Sequence, residues 1–389
     1  MKPLMRYNHD MHNSKRIIPY ILLSWWLWAI SANLQAVEVD DLYEAELPVT
    51  SQGRAERSGI IRSALTEVLI KVSGNGQIAL SPGIPEILSR SSQFLQQYRY
   101  RSATLPADPV TGLAPSQQYL WVRFDQISLD KTLRSIAVPI WGRSRPVTLA
   151  WLVVEQGNQR QLLGSGDDSS VTKAVIEQSK RRGIPLDLPL YDLEDQQRVR
   201  VTDISGGFQE SILKASERYA ADAVLVGHLR DIGNGRWEGR WTLHLGGRES
   251  NWSQQGNFDA VLGFGIDGAT SSLASNFVRA PSNNPGELKV LVTDVFNLED
   301  YARSDQFLAG LDGVMRIQPG QIDKDKILFN LKVRGDQQSL LQSIRLSNQS
   351  VLALIEQKPE QKIVPVIPQT TPGDATSTSA PDITFRLLK

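Results

Sequence analysis

The chain has 389 residues, 41% hydrophobic and 22% charged, the composition of a soluble globular protein of two or three domains, which excludes a collagen, a coiled coil, a polytopic membrane protein and a fully disordered chain. Basic and acidic residues balance at 42 each, and beyond residue 36 the balance is 38 to 41, so there is no basic surplus with which to bind nucleic acid. The absence of cysteine rules out disulfides, thiolate nucleophiles, iron–sulfur clusters, cysteine zinc sites and a lipoprotein anchor.

Residues 1–36 read as a secretory signal peptide. Lys2, Arg6, Lys15 and Arg16 form a basic start, Ile17–Ala32 is an apolar run, and NLQA leads to a cut placed after Ala36, with Ala32 as a second option. The competing reading is an uncleaved anchor that associates with the membrane, since Trp25, Trp26 and Trp28 suit an interface. Pro19, Asn33 and Gln35 make that span a poor one.

Residues 37–145 are expected to form a small α+β domain. Leu42–Val49 reads as a strand, and Ile60, Ile61, Ala64, Leu65, Val68, Leu69 and Val72 recur at helical spacing before Gly74 and Gly76 stop the helix. A helix over Ile84–Gln97, strands over Tyr98–Ala103 and Tyr119–Asp125, and a helix over Gln126–Ala137 complete it.

Residues 146–280 read as an α/β domain. VTLAWLVVE and AVLVGHLRD are nearly unbroken apolar strands of the kind buried on both faces. Between them lie QRQLLGS, a helix over Ser170–Arg182, a strand IPLDLPLYD and a helix over Gly207–Tyr219, an order that argues for a sheet with parallel pairs. In RWEGRWTLHL, Trp237, Gly239, Trp241, Leu243 and Leu245 fall on one face, and Arg236, Glu238, Arg240, Thr242 and His244 on the other. ESNWSQQGNF is its hairpin partner across Gly246–Gly247, and a helix over Asp259–Val278 closes the block.

After the linker APSNNPGE, residues 285–355 have the β-α-β-β-α-β order of a ferredoxin-like domain. Residues 356–389 read as a Pro/Ser/Thr-rich disordered tail. Its last segment, ITFRLLK, alternates Ile383, Phe385 and Leu387, so it either adds as a strand to a sheet edge, its own or a partner's, or frays; the frayed terminus is preferred.

ALTEVLIKVSGN, RRGIPLDLPLYDLED, ASERYAADAVLVGHL and the RWEGRWTLHL strand together resemble the domain-of-unknown-function family numbered 2066, exported proteins of gammaproteobacteria, over about Val39–Leu354. The resemblance implies a periplasmic location and carries over no catalytic residue. ERYAADAVLVGHL followed by an antiparallel pair is also similar, as an analogy of architecture, to the α/β domains of periplasmic assembly proteins such as the amino-terminal domain of the Tol translocation protein or the curli secretion lipoprotein.

The chemistry is sparse, and neither catalytic residues nor a cofactor is assigned. GFGIDG (Gly263–Gly268) satisfies G-x-G-x-x-G but does not follow the first strand of a βαβ unit, so it reads as a helical turn with glycines at close contacts. Beyond the signal only His228 and His244 remain; they read as satisfied strand histidines, the alternative being a two-histidine site with Asp231 or Glu238, and no metal is assigned. SKRRG (Ser179–Gly183) reads as a solvated basic helix end.

The most site-like feature is Asp192, Glu194 and Asp195, just after an expected strand, where α/β proteins bind ligands and where paired carboxylates hold cations or exchange protons. The plainer reading is that Asp192 caps the following turn and the other two are solvated. The expectation is therefore an exported periplasmic protein that binds an envelope protein or wall component without catalysis. The alternatives are an envelope hydrolase that uses those carboxylates, or a small-ligand sensor.

Overall fold

The computed structural model describes residues 39–104, 114–278, 286–311, 313–334, 336–347, 351–355 and 381–388. The signal segment with its cut after Ala36, and the stretch 356–380 of the expected tail, lie outside them. Helices and sheets mix in α/β and α+β arrangements around three separate sheets.

In the first sheet the order is β1-β3-β2, all antiparallel, with β1 at Glu44–Val49, β2 at Leu95–Thr104 and β3 at Ser116–Phe124. Helix α1 (Arg54–Ser73) buries its apolar stripe, Ile61, Ala64, Leu65, Val68, Leu69 and Val72, in one cluster with Leu120, Val122 and Phe124 of β3. It ends where expected, because Gly74 takes the left-handed conformation (φ 69°) and its N–H bonds to Ile70 O.

The expected helix Ile84–Gln97 is broken. Only α2 (Ile84–Ser89) and a 3₁₀ turn (Ser91–Phe94) form, and β2 begins at Leu95. Pairing of Leu95 with Phe124 and of Gln97 with Arg123 overrides the local pattern. Helix α3 (Gln126–Ser135) is capped by the Asp125 carboxylate, which accepts from Ser128 N–H at 2.8 Å.

The central sheet has the order β5-β4-β7-β8-β9, with β4 at Thr148–Gln156, β5 at Gln159–Leu162, β7 at Ala223–Gly233, β8 at Arg236–Leu245 and β9 at Arg248–Gly256. The strand expected over IPLDLPLYD shrinks to β6 (Leu186–Asp187), which pairs with Thr148–Leu149. Pro185 and Pro189 lack the N–H donors a longer ladder needs. The β4–β7 pair is parallel, and β7, β8 and β9 run antiparallel to one another.

Both long apolar strands are two-sided. Ala150, Leu152, Leu225 and Leu229 face α4 (Ser170–Arg182) and α8 (Phe258–Phe277), while Leu149, Trp151, Val153, Val224 and Val226 face α6 (Val201–Gly206) and α7 (Gln209–Ser216). Helices α5 (Leu193–Arg198) and α6 were not expected; six residues each, they are too short for a legible period.

The third sheet contains β10 (Gly286–Thr293), β11 (Val314–Asp323), β12 (Lys326–Val333), β13 (Leu352–Leu354) and β14 (Ile383–Leu387), with α9 (Leu298–Gly310) and α10 (Gln337–Leu346) between its strands. The β-α-β-β-α-β order is present, and the C-terminal segment corrects the frayed-end expectation. In the order β11-β12-β10-β14-β13, strand β14 lies between the first and last strands of the module, parallel to β10 and antiparallel to β13. Ile383, Phe385 and Leu387 are buried with Val292 and Phe329, which fixes the segment in place. No helix among the described residues is long and apolar enough to cross a membrane.

Candidate functional site

The acidic run folds into a clasp around one arginine. Asp192 is the N-cap of α5 and accepts from Asp195 N–H at 3.1 Å. Arg218 Nη1 and Nη2 donate to its two oxygens at 2.9 Å each, a bidentate fork. Asp195 is fully buried rather than solvated: its Oδ1 accepts from Arg218 Nη1 at 3.1 Å, and its Oδ2 from Tyr191 N–H at 2.9 Å and from the Tyr219 hydroxyl. Glu194 is 3.5 Å from the same guanidinium and pairs with Arg198 at 2.9 Å.

Hydrogen bonding to Arg218 holds the Asp192 carboxyl at about 2, so it is ionised and has no proton to give near neutrality. Burial and the bond to Asp195 push Tyr219 up to about 12. The three candidate carboxylates are thus brought together, but as acceptors for Arg218 and Tyr219. The clasp ties the 190–195 segment to the end of α7, where Tyr219 also accepts from Leu190 N–H at 2.9 Å.

The basic run is solvated in part, with Lys180 and Arg181 exposed as expected and Arg182 not. Arg182 is buried and pairs with Asp267 of α8 at 2.8 Å, and Arg181 reaches Glu67 of α1 at 2.6 Å. The glycines of GFGIDG lie inside α8, as close contacts require. A Cβ on Gly265 would stand 2.0 Å from the Trp241 indole, and one on Gly268 would stand 2.5 Å from Trp252. Trp241 is core, and Trp237 packs edge-on against Phe258 with ring centroids 5.0 Å apart.

An open cleft of about 410 Å³, lined by both polar and apolar residues, lies on the opposite face of the central sheet. Its wall is the α6–α7 turn, with Ile204, Ser205, Gly206, Gly207 and Gln209; Gly207 takes φ 75° to end α6. Its floor follows from register: Val226 opposes Thr242 and Thr242 opposes Asn251, while His228 opposes Arg240 and Arg240 opposes Ser253. The apolar cover supplied by α6 and α7 ends at Val226, and the same face continues as these polar side chains.

Both histidines line the cleft, but His228 faces Arg240 and His244 faces Val224, four register positions apart. Among the described residues no group of three or more His, Asp or Glu could hold a metal ion. His228 is one link in a chain. Arg160 Nη2 donates to Glu155 Oε1 at 3.0 Å, Glu155 Oε2 lies 3.1 Å from His228 Nε2, and Arg240 Nη2 lies 3.0 Å from His228 Nδ1.

A guanidinium can only donate, so Nδ1 is the bare nitrogen and the imidazole proton sits on Nε2, facing Glu155. Burial lowers the His228 pKa, and Arg240 and Arg230 lower it further, against the opposing pull of Glu155. His244 is also lowered by burial, and its Nε2 is buried with no hydrogen-bond partner among the described residues. The sequence reading already placed Arg240, Thr242 and His244 on this face. It missed the wall, because α6 had no legible signal.

A family model described as "Domain of unknown function (DUF8605)" matches residues 36–142, which take in the first sheet and stop short of the cleft. No curated protein matches the chain.

Proposed function

We propose that this protein is an exported, non-enzymatic binding protein of the cell envelope that takes a polar ligand in the cleft between α6–α7 and strands β7–β9. The observation that carries this reading is the Arg160–Glu155–His228–Arg240 chain, which holds a cation at an open cleft with a hydrogen-bonding floor. Preorganisation of this kind lowers the cost of binding, because Arg240 does not have to be ordered by the ligand. The clasped carboxylates count against the hydrolase alternative, since general acid–base work needs a group whose proton is exchangeable near neutrality.

Export is supported by the order of the first 36 residues and by the resemblance to exported proteins. The test is fractionation with N-terminal sequencing. A periplasmic product beginning at Val37 is expected, and full-length chain retained in the cytosol overturns the export reading. Turnover of envelope substrates by the purified protein, abolished by Asp192→Ala, would overturn the non-enzymatic one.

A further inference from the structure

We infer that the cleft recognises a carboxylate, gripped by the Arg240 fork. This rests on the binding reading above and names the ligand class of the same site. Arg240 is exposed, and the hydrogen bond to His228 engages one edge of its guanidinium. The acids around it are engaged elsewhere: Glu155 by Arg160 and His228, Glu238 by Arg230 and Gln255, Glu249 by Asn251. The cleft therefore presents a cation whose remaining donors meet no carboxylate among the described residues, and a planar fork matches a carboxylate's two oxygens.

The charge balance selects the ligand. Arg160 and Arg230 offset Glu155 and Glu238, so Arg240 brings one positive charge to the cleft, which matches a single negative charge better than a phosphate's two. On the floor, Thr242 donates to Asn251 Oδ1 at 2.6 Å and Asn251 donates to Glu249 at 2.5 Å, so these groups are already oriented. Ser253, opposite Arg240 on β9, supplies a further hydrogen-bonding position. His228 is a positioning residue: its bare Nδ1 fixes the direction of Arg240, and the Glu155 contact fixes its tautomer.

The test titrates the mature chain, residues 37–389, calorimetrically with five probes: propionate, its amide, tri-alanine with a free C-terminus, the same peptide amidated, and inorganic phosphate. Amide resonances of Thr242, His244, Asn251 and Ser253 locate any binding. Either carboxylate probe is expected to bind in the cleft about tenfold or more tightly than its amide, the worth of a charge-assisted pair. Preference for propionate marks a small-molecule source, and preference for tri-alanine marks a peptide terminus.

Arg240→Gln is expected to abolish the carboxylate preference and Arg240→Lys to reduce it, with thermal midpoints unchanged. His228→Ala is expected to weaken carboxylate binding, and His228→Gln, whose amide offers both an acceptor and a donor, to restore part of it. Carboxylate and amide binding equally, or phosphate binding tighter, overturns the inference and leaves the cleft reading standing. If no probe moves those resonances, both fall. The comparison of carboxylate with amide needs no variant, so it decides the matter even if a substitution disrupts folding.

Discussion

Arg218 shows how one side chain can change what its neighbours are able to do. Three acids within four residues suggest a reactive group, yet the guanidinium from 23–26 residues downstream converts them into fixed acceptors. The consequence is measurable on Asp192. Its carboxyl should titrate by NMR with a midpoint near about 2, and Arg218→Gln should return it toward the ordinary 3.8. Because the folded value is depressed, the contribution of this pair to stability is present above 3.8 and lost as the pH falls through about 2. A midpoint that stays low in Arg218→Gln would show that the N-cap bond from Asp195, rather than the arginine, holds the charge. His228 follows the opposite logic: burial favours its neutral form, which is the form that can accept from Arg240.

At the scale of elements, β14 is the least expected feature. A last strand joined after residues 356–380 sits between β10 and β13 instead of extending an edge, so the module is incomplete without the C-terminus. Phe385 is fully buried there, and Phe385→Ala should cost about 3–5 kcal/mol in urea unfolding of this module. Arg386 is exposed and pairs only at the surface, with Asp294 at 3.2 Å, so Arg386→Ala should cost less than about 1 kcal/mol. Equal effects of the two would mean that the strand is not seated as described. Helix α8 illustrates the same coupling of element to sheet, since its glycines let two indoles of β8 and β9 approach the helix backbone.

At the scale of the whole molecule, the first and central sheets are joined through a buried arginine. Arg145 Nη1 donates to Gly183 O at 2.6 Å and Nη2 to Lys71 O at 2.7 Å, carbonyls at the ends of α4 and α1, while the guanidinium stacks over Trp141 at 4.2 Å. Trp141 N–H donates to Val72 O at 2.6 Å, and Gly74 lies against Trp141 and Ala274 of α8. These contacts predict that the two modules unfold in one transition. Arg145→Ala strands several carbonyls and should cost about 3 kcal/mol or more, and Arg145→Lys should not restore it, since one ammonium cannot span both helix ends. Two transitions in the wild-type protein, resolved by differential scanning calorimetry, would contradict the coupling.

Much of this architecture was readable in the amino-acid order, because period-2 and helical spacing are local consequences of which face is buried. The two-sided strands β4 and β7, the alternation along β8, the stop of α1 at Gly74 and the limits of α4 all followed from that. The polar face of β8, one strand of the cleft floor, followed too. What only the tertiary structure decided depends on residues distant in the chain: Arg218 against the acids, Arg145 against two helix ends, β14 between β10 and β13, and the α6 wall that turns a polar strand face into a cleft. Such contacts leave no periodic trace in the sequence, since their partners are chosen by where folding brings them and not by spacing along the chain.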